Sequence, residues 1–381
     1  MEPYVNIVSS ILLFSTIVYV VQIFRYVFGL NRLQAGENTE IYTVTVLIPA
    51  RNEEKNIYNC VTSILNQNYP AEKFHIIVID DQSSDSTSSI VQKLINENPN
   101  RITLLHVNEK PAGVSPKINA LLLGITNSKS EIIMTTDADC TASCSWISST
   151  VRYFEENVGA TTGLTLFSNE LHASPLIHGF QFIDFISFTA CGAGSIGYGR
   201  TTTCNGSNMA FRRSAYDEVG GYGAIASLNS GDDSLLAQKI EKTKNWKVTF
   251  VNDPISFVTT ISVQTWKEIL LQRMRWAAQT TQYPTGTVIF MSITFIFYIL
   301  LFISLPISIF LLEPSPWLAF AAKCGIDLML LNKFTTMTRT RSLLRYFLPS
   351  AFIHIALVIA AVFGGYITKF EWKERKIGRS G

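Results

Sequence analysis

FHIIVIDDQSSD, residues 74–85, is the stretch on which the architecture turns. Its first half is a short run rich in Ile and Val, suited to a strand covered on both faces. Its second half is polar: Asp80 and Asp81 end the run, and Ser84 or Asp85 is placed to cap a helix starting near Ser86. A strand that closes in a carboxylate-bearing loop and passes into a helix is a βα unit, and the pattern recurs on either side. TVTVLIPA (43–50) runs into ARNEE, ITLLHV (102–107) follows the next helix, and EIIMTTD (131–137) runs into DADC. The intervening stretches 55–67, 86–98 and 117–126 have helical spacing. Alternation of this kind over residues 41–255 predicts an α/β fold with a mostly parallel sheet, helices on both faces. Ligands of such sheets sit beyond the carboxyl ends of the strands. The polar clusters after the first, second and fourth runs therefore converge on one edge.

Composition narrows the class. Of 381 residues, 47% are hydrophobic and 16% charged, with a mean hydropathy of +0.22, where soluble domains carry about a quarter charged residues. The chain is shifted toward membrane proteins. A net charge of +2 supplies no global basic field, so nucleic acid is not an expected partner. The six cysteines form no CxxC pair; Cys140 and Cys144 come closest, and free, partly buried thiols are the expectation.

Residues 5–24 are an uncharged apolar run of spanning length, with basic residues after it (Arg25, Arg32) and Glu2 before it. That is the reverse of a signal peptide. It predicts an anchor over 1–30 with the N-terminus outside and residue 30 onward in the cytoplasm. Residues 286–312 and 345–368 are further apolar runs, while 317–331 is shorter and holds Lys323 and Asp327, four apart and able to pair on one helix face. The region 286–368 is expected to make two or three spans. The loop 333–345 and the tail 369–381 are both basic, so a re-entrant or interfacial segment is needed if both face the cytoplasm.

Several constellations carry chemistry. Asp137 and Asp139 follow a strand with one residue between them, so both carboxylates can meet one hard cation, Mg²⁺ or Mn²⁺, that bridges substrate phosphates. One of Asp80 and Asp81 is placed to bind the polar face of a base or ribose. Asp232 and Asp233 open the helical stretch DDSLLAQKIEK, where the helix dipole favours acids and one of the pair can act as a general base. Gln272, Arg275 and Trp276 share one face of the helical stretch 264–282: an amphipathic helix at a membrane surface, an Arg aimed at departing phosphate with a Trp on which a sugar stacks, or both. CGAGSIG (191–197) matches GxGxxG, but it follows a helical stretch and not the first strand, so flexible glycines near an active-site loop are the expectation.

In order, VIDDQSSDST, TTDADC, SGDDSLL and QRMRW resemble the motif series of the inverting family 2 glycosyltransferases, with PARNEE and NGSNMAFRRSAYDEVGGY as supporting segments. The similarity covers about residues 43–282 and is closest to membrane-embedded members such as ceramide glucosyltransferase and the cellulose, hyaluronan and poly-N-acetylglucosamine synthases. It implies a GT-A fold, a Rossmann-like mixed sheet, over 41–260. An interface helix at 261–285 would follow, with transmembrane helices at both ends of the chain. It implies that Pro49, Asn52, Glu53, Asp80 and Asp81 hold the donor nucleotide, with Lys117 and Asn119 beside them. Asp137 and Asp139 would hold the metal and diphosphate, Asp233 would be the base, and Gln272 and Arg275 would contact the diphosphate. Trp276, Asn205, Gly206, Ser207 and Asp232 would line the acceptor side.

The resemblance further implies transfer of a hexose or N-acetylhexosamine from a nucleotide-sugar, UDP by family weight, to a lipid or saccharide acceptor. The enzyme would be an integral multi-pass protein of a bacterial inner or plasma membrane with its catalytic domain in the cytoplasm. Alternatives are a processive polysaccharide synthase and a catalytically silent membrane scaffold. The departure Asp232–Asp233 for the family's Glu–Asp leaves the base in place, and the short membrane portion weighs against polymer export.

Overall fold

A computed structural model describes residues 2–109, 111–168, 173–228, 231–278, 282–367, 370–372 and 375–377. The chain divides into two compact units. One comprises residues 33–170 and 199–261; the other comprises 1–32, 171–198 and 262–381. The expected domain 41–260 is thus interrupted: residues 171–198 group with the helical segments near the termini.

The helices in chain order are α1 (Glu2–Leu30), α2 (Ile57–Leu65), α3 (Thr87–Glu97), α4 (Pro116–Thr126), α5 (Trp146–Val151), α6 (Pro175–Gly197), α7 (Arg213–Glu218), α8 (Asp232–Lys242), α9 (Trp266–Ala277), α10 (Thr285–Leu311), α11 (Ser315–Met337) and α12 (Phe347–Ile367). The strands are β1 (Val44–Ala50), β2 (Phe74–Asp80), β3 (Ile102–His106), β4 (Ile132–Thr135), β5 (Cys140–Ala142), β6 (Val158–Gly163), β7 (Thr165–Ser168), β8 (Met209–Arg212), β9 (Lys247–Val251), β10 (Val258–Ile261), β11 (Phe370–Trp372) and β12 (Arg375–Ile377).

In the first unit the main sheet has the order β3-β2-β1-β4-β8-β6-β9. β1 runs parallel to both β2 and β4, β2 parallel to β3, and β8 is antiparallel to β4 and β6, so the sheet is mixed. The order reverses at β1, which puts the switch point between β1 and β4. Register sets Ala50 opposite Asp80 and Leu47 opposite Thr135, so the carboxyl ends of β1, β2 and β4 share an edge. The central strands β1, β2 and β4 are largely apolar because both faces are covered: Val44, Val46, Ile48, Ile76, Val78, Ile132 and Met134 are all fully buried. A small sheet, β5-β10-β7, adds antiparallel and parallel pairs of its own. β4 stops at Thr135, leaving Asp137 and Asp139 in the turn before β5.

The second unit is helical. α1 packs against α6, α10 and α11, and α12 packs against α9, α10 and α6. Four of its segments are long and apolar enough to cross a membrane: 7–30, 175–197, 285–311 and 341–366. Large apolar side chains on them are exposed, among them Leu13, Phe14, Phe302, Phe310 and Leu348. The segment 175–197 was not expected among them. CGAGSIG ends this helix, so its glycines belong to a regular helix where flexible ones near a loop were expected. Gly194 packs on the backbone of Tyr26 and Gly29 on the carbonyl of Gly194, so the glycines serve close helix approach.

α11 is not among the four. Lys323 Nζ pairs with Asp327 Oδ2 at 2.7 Å, as the spacing predicted, and Tyr19 Oη donates to Asp327 Oδ1 at 2.7 Å. Of the basic tail 369–381, β11 and β12 form a two-stranded ribbon; Lys369, Lys373 and Arg379 lie outside the described residues.

Candidate active site

The loop after β2 is built by its own carboxylate. Asp80 Oδ1 accepts from Ser83 N at 3.1 Å, and Oδ2 accepts from Ser88 Oγ at 2.7 Å and faces His106 Nδ1 at 3.3 Å. Burial alone would raise the pKa of Asp80, but these hydrogen bonds outweigh it and hold it below the ordinary carboxylate value. Asp80 thus shapes the loop, while Asp81, also buried, begins it. Asp85 accepts from Thr87 N at 3.0 Å just ahead of α3, whose N-cap position is Ser86 and not the expected Ser84 or Asp85. Asn52 takes a left-handed backbone, φ 53°, and ties two loops together. Its N–H donates to Ser83 Oγ at 3.0 Å and its Oδ1 accepts from Ser84 N at 2.9 Å. Glu53 is buried, accepting from Asn56 Nδ2 at 2.8 Å, and Pro49 lies within β1.

The turn after β4 presents the acidic cluster. Ligand atoms of Asp137, Asp139 and Cys140 lie within 4.8 Å of one another. Burial, then the neighbouring carboxylates, push the thiols of Cys60 and Cys140 up, so these stay protonated. Cys140 Sγ donates to Asp139 Oδ1 at 3.6 Å and Cys60 Sγ to the Asp137 carbonyl at 3.6 Å. That leaves two carboxylates as the hard oxygen donors, a set that fits Mg²⁺ or Mn²⁺ with remaining positions for water and phosphate. Lys117 Nζ, at 2.9 Å from Asp137 Oδ1, supplies positive charge beside them. Burial disfavours its ammonium, yet Asp137, Asp232 and Asp233 outweigh that and raise its pKa above the ordinary lysine value. Asn119 donates instead to the Glu109 carbonyl at 2.9 Å, a loop contact.

Asp232 and Asp233 begin α8 directly after Gly231, whose φ of 76° needs a residue tolerant of the left-handed region. Asp233 Oδ1 accepts from Ser234 N at 2.7 Å. Burial first, then the charge of Asp232, raise its pKa to about 6; Lys117 and backbone N–H groups of Ser234 and Gly206 offset part of this. A carboxylate poised there can take a proton near neutral pH. The loop 205–207 is braced around it. Asn205 Nδ2 donates to Thr165 Oγ1 at 2.6 Å, Ser207 Oγ donates to Asn205 Oδ1 at 3.0 Å, and Thr135 Oγ1 donates to the Gly206 carbonyl at 2.8 Å. Asn208, which sequence reasoning passed over, anchors the loop's end: it accepts from Trp146 Nε1 at 2.9 Å and donates to the carbonyls of Leu164 and Ser256.

Gln272, Arg275 and Trp276 belong to the helical unit, on α9. Trp276 stacks on Phe188 at 5.8 Å and tilts against Phe185 at 6.1 Å. The residue between the motif's ends, Arg273, was not singled out from the sequence. Its Cζ lies 4.0 Å over the Trp276 ring, its Nη1 donates to Gln272 Oε1 at 2.9 Å, and its other nitrogens face Asp184. The signal that was there is Asp184 itself, a lone acid in the apolar run GFQFIDFISF (179–188).

The family model described as Glycosyl transferase family 21 matches residues 8–377. A probable glycosyltransferase, YdaM, of Bacillus subtilis is 30% identical over 246 residues, 62% of this chain and 55% of that protein. A poly-beta-1,6-N-acetyl-D-glucosamine synthase of Staphylococcus epidermidis is 25% identical over 258 residues, 66% of this chain and 57% of that one. The chain therefore spans little more than half the length of these relatives. Among solved structures, the mannosyltransferase PcManGT of Pyrobaculum calidifontis, in complex with GDP-Man and Mn²⁺, aligns with TM-score 0.60 at 19% identity, covering 94% of this chain and 98% of that one. The likeness establishes the GT-A fold expected from the motif series.

Proposed function

We propose, from the premise that this chain belongs to glycosyl transferase family 21, that it transfers a hexose or N-acetylhexosamine from a nucleotide-sugar to a hydroxyl of a lipid or lipid-linked acceptor. The observation that carries this is Asp233, a partly buried carboxylate with its pKa raised to about 6, electrostatically linked through Lys117 to the Asp137 turn. In the reaction Asp233 takes the proton of the acceptor hydroxyl as that oxygen attacks the anomeric carbon. The bond from that carbon to the diphosphate oxygen breaks, and the nucleoside diphosphate leaves with its electron pair. Attack opposite the leaving group inverts the configuration, and no covalent enzyme intermediate forms.

Asp137 and Asp139 would hold Mg²⁺ or Mn²⁺, which when bound neutralises charge on the diphosphate. Lys117 adds a cation beside the same turn. Asp81, Asn52, Glu53 and Pro49 are assigned to the nucleotide, with Asp80 shaping the loop they share. Gln272 and Arg275 are assigned to the diphosphate and Trp276, Asn205, Gly206, Ser207 and Asp232 to the acceptor, on the strength of the motif series. Four segments long and apolar enough to span support a membrane enzyme and hence an acceptor held at the bilayer, with the sheet unit on the cytoplasmic side.

A second reading, a processive polysaccharide synthase, is favoured by the names of the staphylococcal relatives. Those relatives point to an N-acetylhexosamine donor, whereas PcManGT was solved with GDP-Man. Detergent-purified full chain, given a panel of UDP- and GDP-sugars with Mn²⁺ or Mg²⁺, with and without membrane lipid extract, tests both readings. Metal-dependent, lipid-stimulated release of nucleotide from one donor, lost in Asp233→Asn, supports single transfer to lipid. Lengthening oligosaccharide products without lipid support the synthase. Release that persists in Asp233→Asn would sink the assigned mechanism.

A further inference from the structure

Three helices of the helical unit meet in a buried charged cluster that the proposed mechanism does not use. Asp184 of α6 is buried among apolar neighbours, its Oδ1 accepting from His354 Nδ1 of α12 at 2.8 Å. Its Oδ2 faces the guanidinium of Arg273 on α9, whose side chain is only 10% exposed. A buried ion pair of this kind is weak as a source of stability, because the desolvation of both ions offsets their attraction. Ionisable groups inside apolar helices are costly to keep. What the cluster does achieve is geometric. With Asp184 and His354 fixing it, Arg273 reaches the neighbours on its own helix: its Nη1 donates to Gln272 Oε1 and its guanidinium lies over Trp276. Trp276 also packs on Phe185 and Phe188, which follow Asp184 on α6.

We propose that Asp184 and His354 are positioning residues that act through Arg273 to fix the side chains of Gln272 and Trp276 for sugar transfer. The inference deepens the function proposed above and rests on the roles given there to the Gln272–Trp276 motif. A motif read as Gln, Arg and Trp in this chain thereby extends to residues 88 positions before Gln272 and 82 after it, on two other helices.

The test uses the full chain in detergent, with transfer kinetics, donor affinity and thermal unfolding measured side by side. Asp184→Asn leaves the Arg273 charge buried and uncompensated, so both Tm and kcat are expected to fall, kcat by about tenfold or more. Asp184→Leu with Arg273→Met removes both charges; Tm is expected to return while kcat stays low, because nothing orients Gln272 and Trp276. His354→Gln, which keeps a donor for Asp184, is expected to retain more kcat than His354→Leu. If kcat recovers with Tm in the paired variant, the cluster is merely structural and the inference is overturned. Gln272→Ala and Trp276→Ala separate the two levels. If neither lowers transfer, the underlying reading of the motif fails and takes this inference with it. If both lower transfer while the paired variant transfers normally, the positioning inference alone fails.

Discussion

The backbone of Gly206 meets the carboxylate of Asp233 with no room between them: a Cβ at position 206 would lie 2.9 Å from Oδ2, and the Gly206 N–H hydrogen-bonds the same group. The residue that lines the base is therefore required to be small for a reason of contact and not of backbone conformation. Gly206→Ala is expected to displace the carboxylate and lower kcat by about tenfold to a hundredfold, with little change in Tm. Transfer kinetics and a melting curve check it; unchanged turnover would show that the contact is irrelevant to the reaction.

The pH dependence follows from Asp233. Its pKa is raised from 3.8 to about 6 by burial and by Asp232, so kcat/KM is expected to rise with pH through about 6 and then level. The native state holds this proton more tightly than the unfolded chain does, so the group lowers stability as pH rises from 3.8 to about 6. Asp233→Asn should therefore lose transfer by about a thousandfold yet melt above the wild type at pH values over about 6, the gap closing below 3.8. A variant that melts lower at high pH would contradict the assigned burial.

Metal affinity divides between the two carboxylates of the turn. Asp137 is paired with Lys117 at 2.9 Å, so a divalent cation competes with that ammonium. Asp139→Asn is expected to weaken Mn²⁺ binding by about tenfold or more, since losing even an outer-shell partner of a metal ligand commonly costs that much, whereas Lys117→Met should tighten it while impairing donor turnover. Calorimetric or spin-resonance titration of Mn²⁺ reads both directly. Equal affinity in the wild type and Asp139→Asn would remove Asp139 from the ligand set.

In the helical unit Lys323 is 2% exposed and pairs with Asp327, which also accepts from Tyr19. Lys323→Met strands a carboxylate whose side chain is only 16% exposed and is expected to cost about 3 kcal/mol, while Lys323→Met with Asp327→Leu recovers most of it. Thermal unfolding of the three proteins in one detergent decides the point; a single variant as stable as the pair would show the carboxylate reaches solvent.

Much of this was legible in the chain itself. Near-continuous apolar runs that end in Asp80, Asp137 and their neighbours are properties of local sequence, and a parallel sheet is the arrangement that buries such runs on both faces. Lys323 and Asp327 sit four apart on what the chain makes a helix, so their pairing needed no tertiary information. Other features depend on residues far apart in sequence. The role of Asp80 became clear only when Ser83, Ser88 and His106 closed around it. The glycines of CGAGSIG read as flexible ones near a loop because sequence carries no sign of α1, which approaches them through Gly29 and Tyr26. Arg273 was passed over for the same reason: its partners Asp184 and His354 lie on two other helices. Sequence by itself determined the βα units from 43 to 137, the order of the motifs and the apolar spans near the two ends, because these follow from local periodicity and composition. Only the tertiary structure decided which carboxylates organise loops, which one carries the raised pKa and which charges meet in the helical unit, because burial and long-range pairing exist only once the chain has folded.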